Sequence, residues 1–191
     1  MTSPRAGGAL CVALCYAAMI CLAIAVNLVP VFLTTLSKEL GGAVGFTNEQ
    51  LGRIVAATFV GLVGGILLTG PLADRWGAKP FAVLGNLLVG AGLGILCAAR
   101  SYPAVLAAAA LMGAGAGVLD LVLSPIVAAL QSDRRTSAMN WLHAFYSIGA
   151  VATVLVASLA LELRVGWRTL SLVLVAPPCL VGLGFVGIRV P

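Results

Sequence analysis

Charged residues divide this chain into six long apolar runs, with one acidic residue, Asp120, inside the fourth. A helix needs about 20 apolar residues to cross the roughly 30 Å hydrocarbon core of a bilayer. Each run reaches that length, and none alternates apolar and polar positions as a membrane β-strand does. The pattern predicts an all-α fold, a single six-helix transmembrane domain over residues 1–191. The predicted helices cover residues 7–36, 48–74, 79–100, 102–131, 136–162 and 168–189.

Short polar segments with turn chemistry separate the predicted helices. Thr47 and Gln50 have the spacing of a capping box, which would start the second helix. Gly77 can adopt the left-handed conformation that ends this helix. Pro80 and Pro103 stand where the third and fourth helices begin, at positions that need no amide donor.

Glycine is abundant inside the predicted spans. Gly61 and Gly65 form one GxxxG pair, and Gly90 and Gly94 form another. Small residues let helices pack closely in lipid, where the hydrophobic effect does little to bring helices together. We therefore interpret these glycines as packing positions. The other glycines of this kind are Gly113, Gly115 and Gly117 in the fourth helix and Gly182, Gly184 and Gly187 in the sixth.

Composition supports lipid as the main solvent. The chain is 61% hydrophobic and 9% charged, whereas an average soluble domain is roughly half apolar and about a quarter charged. The net charge of +5 comes from basic residues that stand singly or in pairs, so we expect no nucleic acid partner. The cysteines all fall in apolar runs without a nearby histidine, which predicts free thiols, no metal site and no cofactor. They are Cys11, Cys15, Cys21, Cys97 and Cys179.

The uncharged run from Ala6 to Ser37 is longer than the roughly 7–15 apolar residues of a signal peptide. It is therefore predicted to be a retained membrane helix. With the N-terminus inside, six basic residues fall on the cytoplasmic side and five on the other, a weak preference under the positive-inside rule. We expect both termini in the cytoplasm.

Asp120 is the one carboxylate predicted at mid-membrane depth. A charged side chain there costs at least about 2.5–3.5 kcal/mol, so such residues usually face a cavity and have a function. We therefore expect Asp120 to face a cavity, and burial in the membrane would favour its protonated form and make it a proton acceptor. The structural alternative is a neutral aspartate that bridges two helices.

Several neutral polar residues also lie inside the spans. Asn140, His143 and Tyr146 fall roughly on one face of the fifth helix, a placement suited to hydrogen bonds with a polyol. His143 could equally be a packed interhelical histidine. Pro30 is expected to break the first helix and free a carbonyl near Asn27, or merely to kink it.

The segment from Gly70 to Lys79 holds a carboxylate and two cations in a tight turn between the second and third helices. Asp74 ends the second helix, where the helix dipole favours cations. It must therefore serve Arg75, Lys79 or the N-terminus of another helix.

This loop resembles the motif G-x-L-A-D-R-x-G-R-K of the major facilitator superfamily, which lies between the second and third helices of that family. The entry to the second helix, T-N-E-Q-L-G, is similar too. Ala78 departs from the motif and weakens its cationic side. The matching residues are Gly70, Leu72, Ala73, Asp74, Arg75, Gly77 and Lys79.

The resemblance implies a membrane transporter with the Asp74 loop acting as a gate. The excess of Arg over Lys and the abundance of Ala, Gly, Val and Leu favour a bacterial source, so we expect a bacterial plasma membrane. Members of the superfamily have two six-helix halves with the transport path between them. The sequence ends at Pro191, after the sixth predicted helix, so the resemblance covers the N-terminal half. We expect a second half, either another copy of this chain or a separate chain, and no coupled transport by one chain alone.

Polar residues of the fourth and fifth helices resemble the fucose permease branch, whose members are sugar–proton symporters. The resemblance rests on Asp120, on Ser124 and Pro125, and on the segment from Asn140 to Gly149. It implies a sugar or another small polar solute carried with protons. The second carboxylate of that branch is missing after Asn27, where Val29 and Pro30 stand instead. Drug–proton antiporters rank lower, because the motifs R-x-x-Q-G and G-P-x-x-G-G are absent from the sequence.

Two other classes of protein, an intramembrane enzyme and a non-transporting scaffold, could also have six apolar helices. A rhomboid-type protease has six helices, but its serine lies in G-x-S-x-G, whereas Ser124 lies in L-S-P. One histidine and one deep aspartate cannot build a catalytic metal site, so we expect no enzyme. The second alternative is a six-helix scaffold or regulatory half that transports nothing.

Overall fold

The structure of the protein is a computed structural model that describes residues 4–188, all of whose regular elements are helical. Six spans long and apolar enough to cross a membrane follow one another through short connections, which confirms the predicted all-α, six-span fold. The elements are α1 (Pro4–Leu40), α2 (Asn48–Trp76), α3 (Ala78–Ala98), α4 (Tyr102–Leu130), a 3-10 turn (Ser132–Arg134), α5 (Arg135–Glu162), α6 (Trp167–Val173) and α7 (Ala176–Gly187).

The sixth span is broken, whereas the sequence pattern predicted one continuous helix. α6 ends at Val173 and α7 starts at Ala176, and together they form the span Trp167–Gly187. Pro177 and Pro178 lack the amide hydrogens that a continuous helix would need at these positions, and their rings clash with the preceding turn. The chain therefore ends one helix and begins another within the span.

Local capping chemistry sets the start of α2 and the turn into α3. The capping box of Thr47 and Gln50 is present in both directions, with bonds of 3.2 and 2.9 Å. Gly77 has a φ of +78°, as expected for the residue between the two helices, although its ψ of 168° is extended. Pro103 lies in the first turn of α4, and Pro80 is the third residue of α3.

α4 is the central helix of the bundle. It packs against α1, α2 and α3, and 14 of its 29 residues are buried. α5 packs mainly on α1. α2 and α5 bury few residues and leave large apolar side chains exposed. The bundle therefore has a closed side around α4 and open faces along α2 and α5.

Glycines let α2 and α4 touch backbone to backbone, which agrees with their interpretation as packing positions. A Cβ atom on Gly113 would lie 2.8 Å from the carbonyl carbon of Thr58 and closer still to its oxygen. A Cβ on Gly61 would lie 2.9 Å from the carbonyl carbon of Ala110. Close approach of this kind also occurs between other helices, because a Cβ on Gly149 of α5 would lie 3.0 Å from the Cα of Ile20 in α1. Gly94 and Gly187 were wrongly predicted to be packing positions, because a Cβ at either residue meets nothing within 4 Å.

A hydrogen-bonded cluster fastens three helix ends at the membrane face opposite the Asp74 loop. Glu39 accepts hydrogen bonds from the Trp167 indole at 2.8 Å and from the Arg168 guanidinium at 3.0 Å. Arg168 also donates to the carbonyl of Ala99 at 2.9 Å. Because Trp167 is fully buried, this cluster fixes α6 against the ends of α1 and α3.

Candidate functional site

Side chains from α1, α2, α4 and α5 line a half-open cavity of about 250 Å³, called here the central cavity. The side facing it from α1 and α2 is apolar, and the polar side chains come from α4 and α5. This division would place a solute between a nonpolar wall and a set of hydrogen-bonding groups. The lining residues are Met19, Leu22, Val26, Phe59, Leu62, Asp120, His143 and Tyr146.

Asp120 borders the central cavity and is exposed on the six-helix unit. It lies four residues beyond Ala116, the middle residue of α4, which is about 6 Å along the helix axis. Gly113, Gly117 and Asp120 share one stripe of α4 by their spacing. The glycines are covered by α2, whereas Asp120 comes at the edge of that contact and opens to the cavity.

α5 supplies His143 and Tyr146 to the same cavity, one turn apart. His143 is exposed and Tyr146 is half-buried. Within residues 4–188, neither side chain has a hydrogen-bonding partner, and Asp120 and His143 form no ion pair. The three polar groups therefore share one cavity while their donors and acceptors stay available to a bound solute.

The structure does not bring the two predicted asparagines into the lining of the central cavity. Asn140 is exposed on α5. Asn27 donates its side-chain amide to the carbonyl of Ala23 at 2.9 Å, within its own helix. Of the two outcomes expected at Pro30, the helix break is wrong, because α1 continues through this residue to Leu40.

Sequence reasoning missed the apolar wall of the cavity. Phe59 and Leu62 of α2 and three residues of α1 form it. Apolar residues in a span have the same pattern whether they face lipid, another helix or a cavity. Only the packing of the four helices distinguishes these positions.

A second concave region, called here the Asp74 groove, lies between the α2–α3 turn and α4 and is an open depression of about 380 Å³. Asp74 is exposed at its border. Within the described part of the chain Asp74 pairs with neither Arg75 nor Lys79, which removes two of the three partners considered for it. The groove is lined by Gly70, Ala73, Asp74, Ala78, Leu121, Val122 and Pro125.

Lys79 bonds to the end of the sixth span and not to Asp74. Its ammonium group donates to the carbonyl of Val186 at 3.0 Å and to that of Ile188 at 2.6 Å. These carbonyls belong to the last turn of α7 and the residue after it. The basic end of the loop is therefore attached to the end of the sixth span.

The chain is similar in sequence to a family of membrane transporters. A family model described as "Major Facilitator Superfamily" matches residues 14–191. Two relatives are a "putative uncharacterized MFS-type transporter" of Mycobacterium tuberculosis strain CDC 1551 / Oshkosh and an "uncharacterized MFS-type transporter" of strain ATCC 25618 / H37Rv. Each is 30% identical over 132 residues, or 68% of this chain and 32% of the relative. The match thus spans about a third of the length of these relatives.

Proposed function

Because the chain belongs to the Major Facilitator Superfamily, we propose that it forms the N-terminal six-helix half of a transporter that carries a small polar solute, such as a sugar, together with protons. It is an integral membrane protein with six apolar spans. The observation that carries the proposal is the central cavity, where Asp120, His143 and Tyr146 meet between four helices. We propose transport rather than catalysis as the use of this cavity.

Asp120 is the proposed proton carrier. An ionised carboxylate near the middle of a membrane is costly unless it is hydrated, paired or protonated. Binding a solute over Asp120 removes water and therefore favours the protonated, neutral form. Opening the cavity to water at the other face restores hydration and favours release of the proton. Solute and proton would then cross the membrane together.

His143 and Tyr146 are the proposed solute ligands. A neutral imidazole has one donor and one acceptor, and a phenol hydroxyl can do both. Groups of this kind match the hydroxyls of a sugar or polyol. The exposed ring of Phe59 and its apolar neighbours suit the nonpolar face of such a solute.

The Asp74 loop is the proposed gate, and a second six-helix half is the proposed counterpart. Asp74 borders an open groove on this chain, where the positive N-terminus of a helix from the other half would meet it favourably. The exposed apolar faces of α2 and α5 offer the surface for that half, either a second copy of this chain or a separate chain. In a whole transporter the two halves would alternate in exposing the cavity to each face.

We expect both termini, the α2–α3 connection and the α4–α5 connection to lie on the cytoplasmic side of a bacterial plasma membrane. Cysteines placed at Arg75 and Arg134, in a background without the native cysteines, should both react with an impermeant thiol reagent added from the cytoplasmic face. A cysteine at Val44, which is 97% exposed in the α1–α2 loop, should react only from the opposite face. Labelling of positions 75 and 134 from opposite faces contradicts the six-span topology.

The proposed function is tested by proton movement that a solute drives. Vesicles containing the complete transporter and a trapped pH dye are exposed to a panel of sugars, polyols, amino acids and organic cations, without an imposed proton gradient. We expect a neutral polyhydroxylated solute to acidify the vesicle interior as it enters. Asp133→Asn, which removes an exposed carboxylate outside the cavity, serves as the control and should keep the signal. Solute entry without any pH change contradicts proton coupling, and a response only to organic cations contradicts the solute class.

A further inference from the structure

We propose that Lys79 is a positioning residue that ties the Asp74 loop to the end of the sixth span, so that the two move together. The inference rests on the proposed function, which makes this loop a gate. The observation is the pair of bonds from Lys79 to Val186 and Ile188, residues 107 and 109 positions away in the chain. They join the start of α3 to the end of α7.

The chemistry of helix ends explains this contact. The last carbonyls of a helix lack amide donors of their own, and the helix dipole favours a cation beside them. Hydrogen bonds from a charged donor are stronger than those between neutral groups. Lys79 supplies such a donor to α7, where the carbonyls of Val186 and Ile188 accept it.

Lys79 gains little from its own helix. It is the second residue of α3, and a cation in the first turn faces the positive end of the helix dipole. Asp74 has the converse placement at the end of α2. Both charges are therefore located to act on other helices. Lys79 acts on α7, and Asp74 borders the groove on the side of α4.

The loop between Asp74 and Lys79 is bonded to α7 through Lys79, whereas Asp74 borders the open groove. Trp76 stacks on Phe81 with a centroid distance of 6.3 Å, and Gly77 between them has a φ of +78° that other residues rarely adopt. Arg75, the other cation of the loop, is exposed and has no hydrogen-bonding partner among residues 4–188. A displacement of Asp74 would therefore move the start of α3, and Lys79 would move the end of α7 with it.

Hydrogen–deuterium exchange of the complete transporter in lipid nanodiscs tests the attachment. Lys79→Met should increase exchange of the segment covering residues 183–188 by roughly tenfold, because it removes charge-assisted hydrogen bonds. Arg75→Met removes the same charge from the same loop and should leave this segment unchanged. Lys79→Arg keeps a cationic donor and should stay closer to wild type than Lys79→Met. Equal exchange in Lys79→Met and wild type overturns the proposal.

The movement of loop and helix together is tested by combining Lys79→Met with Asp74→Asn. Releasing the gate with Asp74→Asn should change exchange in residues 183–188 when Lys79 is present and not when it is replaced. If Lys79 only caps α7, Asp74→Asn should have the same effect on exchange in residues 183–188 whether Lys79 is present or replaced. That result overturns the proposed coupling. If Asp74→Asn alters transport but not this segment, the inference fails while the gate stands. If it alters neither, the gate assignment fails as well.

Discussion

Asp120→Asn is expected to abolish proton-driven accumulation of the solute while preserving exchange of solute across the membrane. Asparagine has nearly the shape of a protonated aspartate but cannot release a proton. The cavity formed with His143 and Tyr146 should therefore still bind and pass the solute. Two rates are measured on the same vesicles of the complete transporter. The first is solute uptake against a gradient, and the second is solute exchange at equal concentrations.

Asp120→Leu and Asp133→Asn serve as comparison variants for Asp120→Asn. Asp120→Leu should lose exchange as well, because it removes the polar contact with the solute along with the proton. Asp133→Asn should leave both rates unchanged. Accumulation by Asp120→Asn at the wild-type level would show that Asp120 is structural, and the proposal of proton-coupled transport would lose its principal residue.

Gly113→Ala is expected to destabilise the bundle more than any other single methyl group added in the spans. The new methyl would lie 2.8 Å from the carbonyl carbon of Thr58, and a backbone atom of a packed helix cannot move aside as a flexible side chain can. Overpacking of this kind costs about 1–3 kcal/mol or more. Thermal unfolding in detergent should show a midpoint lowered by several degrees.

Gly94→Ala is the matched control for this substitution. It makes the same chemical change in a neighbouring helix, but its methyl meets nothing within 4 Å. Alanine is the better helix former, so stability should stay the same or rise slightly. Equal unfolding midpoints for Gly113→Ala and Gly94→Ala would show that α2 and α4 are not in backbone contact.

Much of the fold could be predicted because its signals are local. The length of an apolar run reports a membrane span, and the capping box at Thr47 and the glycine at position 77 act within a few residues of themselves. The break in the sixth span also has a local cause at Pro177 and Pro178. It was missed because the apolar run continues through these prolines without interruption.

The arrangement of the candidate site could be predicted only in part. Hydropathy identified Asp120 as unusual, but whether it is buried or borders a cavity depends on where α2 stops covering α4. Asn27 was predicted to be a site residue because it is polar and lies in a span, but its side-chain amide donates to the carbonyl of Ala23 in the same helix. The partner of Lys79 lies more than a hundred residues away. Such contacts follow from the packing of distant helices, which no local pattern encodes.

We propose that this chain supplies one wall of a transport path and that a second six-helix half supplies the other. The most direct measurement combines solute uptake with counting of labelled chains in single vesicles, at a density that leaves most occupied vesicles with one copy. We predict that a vesicle with one copy of this 191-residue chain accumulates no solute under a proton gradient, whereas vesicles holding both halves do. Accumulation against a gradient in one-copy vesicles would contradict the account.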